Sequence, residues 1–363
     1  MAYAFNNDLF FSEADRSLAK RAFPRIAYAL DNPSLRKVFG EYDKRANGAK
    51  KRARRWGVIA VTLATTALMI AASSSLYSSY GANVSRALSI VGAFCGISSV
   101  TIGYFGVMFR GRKLRWLTDR LATERMRQFH FQHYAAHGGA ILKGAKDEAA
   151  AQSYLNKRDR DFERFQVNFL ARLEDEFHAI VEAEDSGEGL LFDFMTDIPP
   201  PDDPDLEEYY RAYESLRFQR QIDYCNLLLS ETRSLWKNAP AKQARFFNGF
   251  GLTCLVVILS LDTLIFMGSI AGLPFLAAPI FSVAGVLIAF LALSARTIEE
   301  GLQPGTEVER MRQYRIALNR SLVRFKGTDA PDEKIEPMVD LENASYEEML
   351  PFLKTNFEAR FVM

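Results

Sequence analysis

The chain has 363 residues, 48% of them hydrophobic and 25% charged, and its 45 Lys and Arg against 44 Asp and Glu leave a formal net charge of +1. That balance excludes an overall basic coat for nucleic acid, while local basic faces stay open to it. Three cysteines, Cys95, Cys225 and Cys254, stand far apart, which excludes a disulfide framework or a cysteine zinc cluster; they read as reduced structural thiols.

The mean hydropathy of −0.09 resembles that of a soluble protein. The average conceals an uneven distribution, because four apolar runs contain a single ionised side chain, Asp262. The expected fold is an all-α membrane protein: two transmembrane helical hairpins, four spans in total, with long cytoplasmic helices.

In chain order, residues 1–56 form a cytoplasmic N-terminal helical segment with Phe10, Phe11, Leu18, Phe23 and Ile26 on one face, interrupted by Pro24 and Pro33. It begins MAYAFNNDLFF, without a basic n-region or long h-region, so no cleavable signal peptide is expected. The segment either packs on the cytosolic helices or lies beneath the membrane, where it would occlude a pore. Residues 57–109 make the first hairpin, with spans at 57–77 and 88–109. Each is uncharged over the roughly 20 helical residues needed to cross a core of about 30 Å. Exit and central helices follow at 110–183. There Phe162, Phe165, Phe169, Leu173, Phe177 and Ile180 recur at helical spacing, an apolar stripe that reads as core or oligomer seam rather than as a cofactor box.

An acidic, proline-bearing linker at 184–205 separates the two halves. The leading helix of the second half covers 206–245, the second hairpin 246–295 with spans at 246–267 and 272–295, and an exit helix with an acidic tail 296–363. The tail ends EEMLPFLKTNFEARFVM, an apolar face suited to docking on a neighbouring subunit. Lys44, Arg45, Lys50, Lys51, Arg52, Arg54 and Arg55 precede the first span, and Arg110, Arg112, Lys113 and Arg115 follow the second. Lys237, Lys242, Arg245 and Arg296 flank the other hairpin, whereas the two turns carry only Arg86. The asymmetry places both turns outside, and both termini in the cytoplasm of a bacterial inner-membrane protein.

The two halves repeat one another. Thr123-Glu124-Arg125-Met126-Arg127-Gln128-Phe129 after the second span matches Val308-Glu309-Arg310-Met311-Arg312-Gln313-Tyr314 after the fourth. Arg52-Ala53-Arg54-Arg55-Trp56 echoes Gln243-Ala244-Arg245-Phe246-Phe247 as a basic and aromatic lead-in. Small residues recur with one spacing, Gly92, Gly96, Ser99, Gly103 and Gly106 in the second span and Ala278, Ser282, Gly285, Ala289 and Ala292 in the fourth. The pattern is that of a tandem duplication. Such a stripe lets lipid-embedded helices approach closely, either within each hairpin or between subunits. Glu124 and Arg127, like Glu309 and Arg312, stand three apart and can bridge on one face. Alone such a pair is a solvated face; its recurrence points to a fixed contact between exit and leading helices. If both exit helices run unbroken, the two motifs lie at the same depth, about four turns from the membrane.

Paired spans, charged cytoplasmic helices, a basic and aromatic lead-in and a Glu-Arg-x-Arg-Gln exit helix together resemble the SLATT family, the two-span domains associated with SMODS nucleotidyltransferase and SLOG proteins in bacterial conflict systems. The resemblance covers both hairpins and their flanks, here as a duplicated four-span version. It implies an oligomeric, pore-forming effector of antiphage abortive infection. Its control would be a nucleotide or single-stranded oligonucleotide made by a partner nucleotidyltransferase. A homo-oligomer is implied, with four hairpins in a dimer and eight in a tetramer.

Candidate sites follow from charge and polarity. Asp262 in the third span, beside Ser260 and Thr263, is a candidate pore-lining group, the alternative being a residue that reaches headgroup water. Lys157, Arg158, Arg160 and Arg164, and Arg312, Arg315, Arg320 and Arg324, carry the sign needed for a phosphate-bearing signal, although charge runs are commonly solvated faces. Phe129, Phe131, Tyr134 and Tyr314 lie near enough in sequence to stack bases. His130, His133 and His137 fall on one helix face, a geometry able to hold a metal. The second half has Arg315, Leu318 and Leu322 there, and no acidic partner is evident, so no metal or cofactor is expected. No phosphate loop, Rossmann glycine fingerprint, His-Glu-x-x-His or nucleophile elbow is found, and no enzymatic activity is expected. The leading functional reading is a gated pore; the competing one is a non-conducting membrane scaffold that recruits a cytosolic partner through its central helix.

Overall fold

The computed structural model describes residues 7–77, 81–104, 110–182, 189–230, 239–273, 275, 278–328 and 330–358. Among these, every regular element is helical. A 3-10 turn at Asn7–Leu9 leads to α1 (Glu13–Ala22), whose start is fixed by a capping box in which Ser12 accepts from Asp15 N–H and the Asp15 carboxylate accepts from Ser12 N–H. A short α2 (Ala27–Leu30) precedes α3 (Pro33–Ala72), where Asn32 accepts from the Leu35 N–H at 3.1 Å and Pro33 opens the helix. Then come α4 (Ser74–Tyr77), α5 (Ala82–Ile102), α6 (Arg110–Ala136), α7 (Gly138–Gly144), α8 (Glu148–Asn168) and α9 (Leu173–Glu182). The second half has α10 (Leu206–Tyr213), a π-helical turn (Glu214–Gln219), α11 (Arg220–Leu229), α12 (Pro240–Ile270), α13 (Pro279–Leu302), α14 (Pro304–Gly327) and α15 (Pro331–Glu358).

Four helices are long and apolar enough to cross a membrane: the apolar end of α3, then α5, α12 and α13. The expected pair of hairpins is therefore present. Residues 105–109 of the expected second span, and 274, 276 and 277 at the start of the fourth, fall outside the described residues.

The chain divides into two compact units, one of residues 48–113, 230–307 and 358–363, and one of residues 1–47, 114–229 and 308–357. The first holds the apolar helices. Their outward faces carry large apolar side chains such as Leu252, Leu255, Leu259 and Phe266, all exposed, as expected where lipid is the solvent.

The second unit is a helical bundle around α6. From Trp116 to Ala136 only Arg120 and Glu124 escape full burial. Phe131 and Tyr134 of α6 share one core with Phe23, Ile26 and Leu30 from the N-terminal segment, Tyr209, Tyr213 and Phe218 from α10 and the π-turn, and Leu318, Phe325, Met338 and Leu341 from α14 and α15. The N-terminal segment thus takes the packed alternative, with Phe10 buried and Leu18 left exposed. The apolar tail likewise docks on its own unit, Phe352 lying edge-on to Trp116 at 6.4 Å.

Two further expectations are revised. The stretch expected to separate the halves is, over its described residues 189–205, a packed strap: Gly189 O accepts from Arg125 and Gln132, Phe194 is buried, and the Asp197 carboxylate accepts from the Ala140 N–H at 2.9 Å. Residues 184–188 lie outside the described residues. The second exit helix is broken: α13 ends where Gln303 takes a left-handed φ of 49°, and Pro304 starts a new helix. Proline prevents the preceding residue from continuing the helix, so the two motifs do not share the continuous lead from the membrane that an unbroken helix would provide.

Candidate functional site

In the apolar unit the polar groups are mostly satisfied locally. Ser260 and Thr263 donate to the carbonyls of Val256 and Leu259 at 2.8 and 2.7 Å, within α12 itself. At about 100° per residue, Asp262 sits roughly 100° from Thr263 and 160° from Ser260, so the three do not share one face. All three are exposed on the chain. Asp262 lies eight residues before the end of α12 at Ile270, and with Arg245 at one boundary it falls about three residues, ~4.5 Å, inside the opposite edge of a 30 Å core.

The small-residue stripe of α5 faces the first span. A Cβ at Gly92 would lie 3.1 Å from Ile70 Cγ2 and one at Gly96 3.8 Å from Ala67 Cβ, while buried Ser99 donates to the Ala60 carbonyl at 2.7 Å. Gly103 meets nothing within 4 Å, and Gly106 lies outside the described residues. In α13 a Cβ at Gly285 would sit 3.6 Å from Leu261; Ala278 and Ala292 are half-buried, whereas Ser282 and Ala289 are exposed. The Thr65 and Ser294 hydroxyls pair in a buried contact between the first and fourth spans.

The repeated motif is used differently in the two halves. Arg127 bridges Glu124 at 2.8 Å and the buried Asp8 at 3.0 Å, and its guanidinium lies 5.3 Å from the Phe39 ring of α3. Exit and leading helices do meet here, through the arginine. Burial works against the charge of Glu124, but Arg120 and Arg127 overcome it and hold the carboxyl at about 2. Arg312 and Glu309, 3.0 Å apart, are each 55% exposed, so the second pair is a solvated helix face and the expected common contact is not made. The alternating arginines of the motif are the shared feature: Arg125 lies 4.9 Å from the Tyr346 ring, and Arg310 pairs with Glu348 and lies 4.7 Å from the Phe352 ring, all on α15.

An ion pair that sequence did not single out lies deeper. Arg217, on the π-turn, donates to both oxygens of Glu342 at 2.7 and 2.9 Å and to Ser345 Oγ at 3.2 Å; Tyr213 donates to Glu342 at 3.0 Å. Arg217 is 2% and Glu342 0% exposed. Burial disfavours the guanidinium charge, yet Glu342 raises its pKa above the ordinary value.

Among the phosphate candidates, Arg158 is corrected. It is buried, donating to the Ala29 and Asp31 carbonyls at 3.3 and 2.9 Å, and is not presented to a ligand. Lys157 and Arg164 pair with Asp161, Arg324 with Glu336 and Asp340, and Arg315 donates to Asn226; Arg160 and Arg320 are exposed. None of these lines the cleft of 490 Å³ formed by Tyr210, Arg211, Glu214, Phe325, Lys326 and Lys334, among others. There Lys326 pairs with Glu214 at 2.6 Å, and Lys334 Nζ lies over the Tyr210 and Phe325 rings at 5.6 and 5.0 Å. Three cations meet two aromatic faces, but both rings are covered, so a base would have to displace Lys334 to stack. Phe129, Phe131, Tyr134 and Tyr314 are buried core residues, not a stacking surface.

The histidines also separate. His130 is buried edge-on to Phe131 at 4.9 Å, and burial, with Arg158, His133 and Arg217 nearby, lowers it to about 3. His133 and His137 stack at 4.1 Å and are joined by Asp161 of α8, an acidic partner that sequence did not reveal because it stands on another helix. Burial lowers His133 to about 4 and shifts His137 downward, while His133 and Lys157 hold the Asp161 carboxyl below its usual range.

No family model matches the chain, and neither a curated protein nor a solved structure does.

Proposed function

We propose that this chain is a subunit of a homo-oligomeric, cation-favouring pore in a bacterial inner membrane, with both termini in the cytoplasm. Asp262 carries the reading: it is a carboxylate exposed on a span, about 4.5 Å inside the hydrocarbon by helix geometry. A charged group in lipid costs about 3 kcal/mol at the bilayer centre and less toward its edge unless water or a partner faces it, and a water-filled path between copies supplies both. Uncovered Ser282 and Ala289 on α13 add small-residue surface for a second copy. The orientation rests on the basic flanks of the spans.

Control by a nucleotide or oligonucleotide from a partner nucleotidyltransferase, and a role in antiphage abortive infection, rest on the resemblance to the SLATT family. The cleft of Arg211, Lys326 and Lys334 is the place we assign to the phosphates of such a signal. Binding there would draw Lys326 away from Glu214 and alter how α14, which follows the fourth span in the chain, packs on α10. No catalytic residue is invoked.

The test is ion and dye flux from liposomes containing purified protein, measured with cyclic dinucleotides, with short oligonucleotides and with neither. Cation release under at least one condition supports the pore. A protein that releases nothing under any of them is instead a non-conducting scaffold.

A further inference from the structure

We propose that His133, His137 and Asp161 bind one divalent metal ion of the zinc type, which clamps α8 onto the C-terminal end of α6. One donor atom from each of the three residues lies within 4.8 Å of the other two. His137 Nδ1 is 2.9 Å from the His133 carbonyl oxygen. A carbonyl only accepts, so Nδ1 carries the proton and Nε2 presents its lone pair. His133 is 1% exposed, and its buried Nε2 makes a long contact of 3.4 Å to Asp161 Oδ2. A buried ring nitrogen held only by a long contact to a carboxylate, its ring stacked on a second imidazole, is the arrangement a cation would complete.

The spacing fits the ion. Zinc bonds of about 2.0–2.2 Å in tetrahedral array set neighbouring ligand atoms ~3.3–3.5 Å apart, and His133 Nε2 to Asp161 Oδ2 already meets this at 3.4 Å. The other separations close by rotation of His137 and Asp161, neither of which is fully buried. Tyr154 Oη, 3.4 Å from His133 Nδ1, is placed to orient that ring from behind, as outer-shell partners of metal-bound histidines do. Phe192 lies edge-on to both imidazoles, 5.2 Å from His133 and 6.0 Å from His137, giving one apolar wall. Three protein ligands leave the fourth position to water.

Lys157 competes for the site. Its ammonium is 3.0 Å from Asp161 Oδ2, but the side chain is 48% exposed and can withdraw into solvent when a cation takes its place. Arg164, 3.5 Å from Asp161 Oδ1 and 76% exposed, can do the same. Because His133 and Asp161 stand on helices either side of α7 and His137 caps the start of α7, occupancy would lock the α7 turn and the strap that packs on it.

The experiment uses the full, tag-free chain in detergent, stripped with a chelator and titrated with Zn2+ by calorimetry and with Co2+ by visible absorption. One ion per chain and a four-coordinate cobalt spectrum are expected. Asp161→Asn and His137→Ala should each weaken binding at least tenfold, and Lys157→Met, an exposed substitution, should tighten it. Absence of Zn2+ binding by the wild-type chain, undiminished binding by the Asn and Ala variants, or a Lys157→Met variant that binds no more tightly would each overturn the site.

Discussion

Replacing Arg217 with Met removes the only cation that hydrogen-bonds both oxygens of Glu342 among the described contacts, and leaves that carboxylate with the Tyr213 hydroxyl alone at 3.0 Å. The carboxylate is 0% exposed, so water cannot replace the two lost charge-assisted bonds. Breaking such a pair from one side costs about 3–5 kcal/mol. For a unit of this size each kcal/mol lowers the melting temperature by about 2–4 °C, giving a fall of ~6–20 °C. The fluorescence of Trp116, which packs against α15 through Phe352, would report the transition in detergent. Removing both charges as Arg217→Met with Glu342→Leu should recover most of the loss, because a hydrophobic replacement of a buried pair is often neutral or stabilising. A single variant that melts within about 2 °C of wild type, or a double variant no better than the single, would refute the assignment of this pair as a mutually dependent buried ion pair.

The remaining predictions test separate parts of the structure. Gly92→Val should disrupt the first hairpin, since even a Cβ there lies 3.1 Å from Ile70, while Gly96→Ala, with 3.8 Å of room, should be tolerated; protease resistance of reconstituted protein distinguishes them. Gly144→Ala sets a Cβ 2.8 Å from the Ala151 backbone and should destabilise by about 1–3 kcal/mol in urea titration. His130 is held at about 3 in the fold against an unfolded value near 6.5. The unfolded chain therefore binds the extra proton between those values, and this group's contribution is full above pH 6.5 and lost as pH falls toward 3. Urea titrations at pH 6.5 and 4.5 should show a decline that His130→Asn lessens by about 2–3 kcal/mol; an equal decline in the variant would contradict the burial argument.

The spans were legible because nothing charged interrupts them, and lipid imposes one solution on such a stretch. The bundle was not. Arg158 read as a surface charge in sequence and the partners of Arg125 and Arg127 could not be named, yet all three are buried, because their partners come from far away in the chain: the Gly189 carbonyl, Asp8, and the Ala29 and Asp31 carbonyls. Periodicity cannot show that a charged helix lies at a centre rather than at an edge. The repeat was readable in residues but not in environment, since Glu124 and Arg127 are enclosed by the N-terminal segment while Glu309 and Arg312 are half-exposed. The break at Gln303 had a local signal in the following Pro304, which disfavours helix at the residue before it. At the histidine cluster the spacing of His133 and His137 was informative, whereas Asp161 could be found only once α8 was placed beside α6.

The most direct measurement is the reactivity of a cysteine at position 262 toward a charged, membrane-impermeant thiol reagent, in Asp262→Cys protein lacking Cys95, Cys225 and Cys254 and reconstituted in vesicles. A water-filled path between copies predicts rapid modification and an accompanying change in cation flux. A thiol that stays unmodified from both sides, with and without candidate nucleotides, would place position 262 in lipid and contradict the pore.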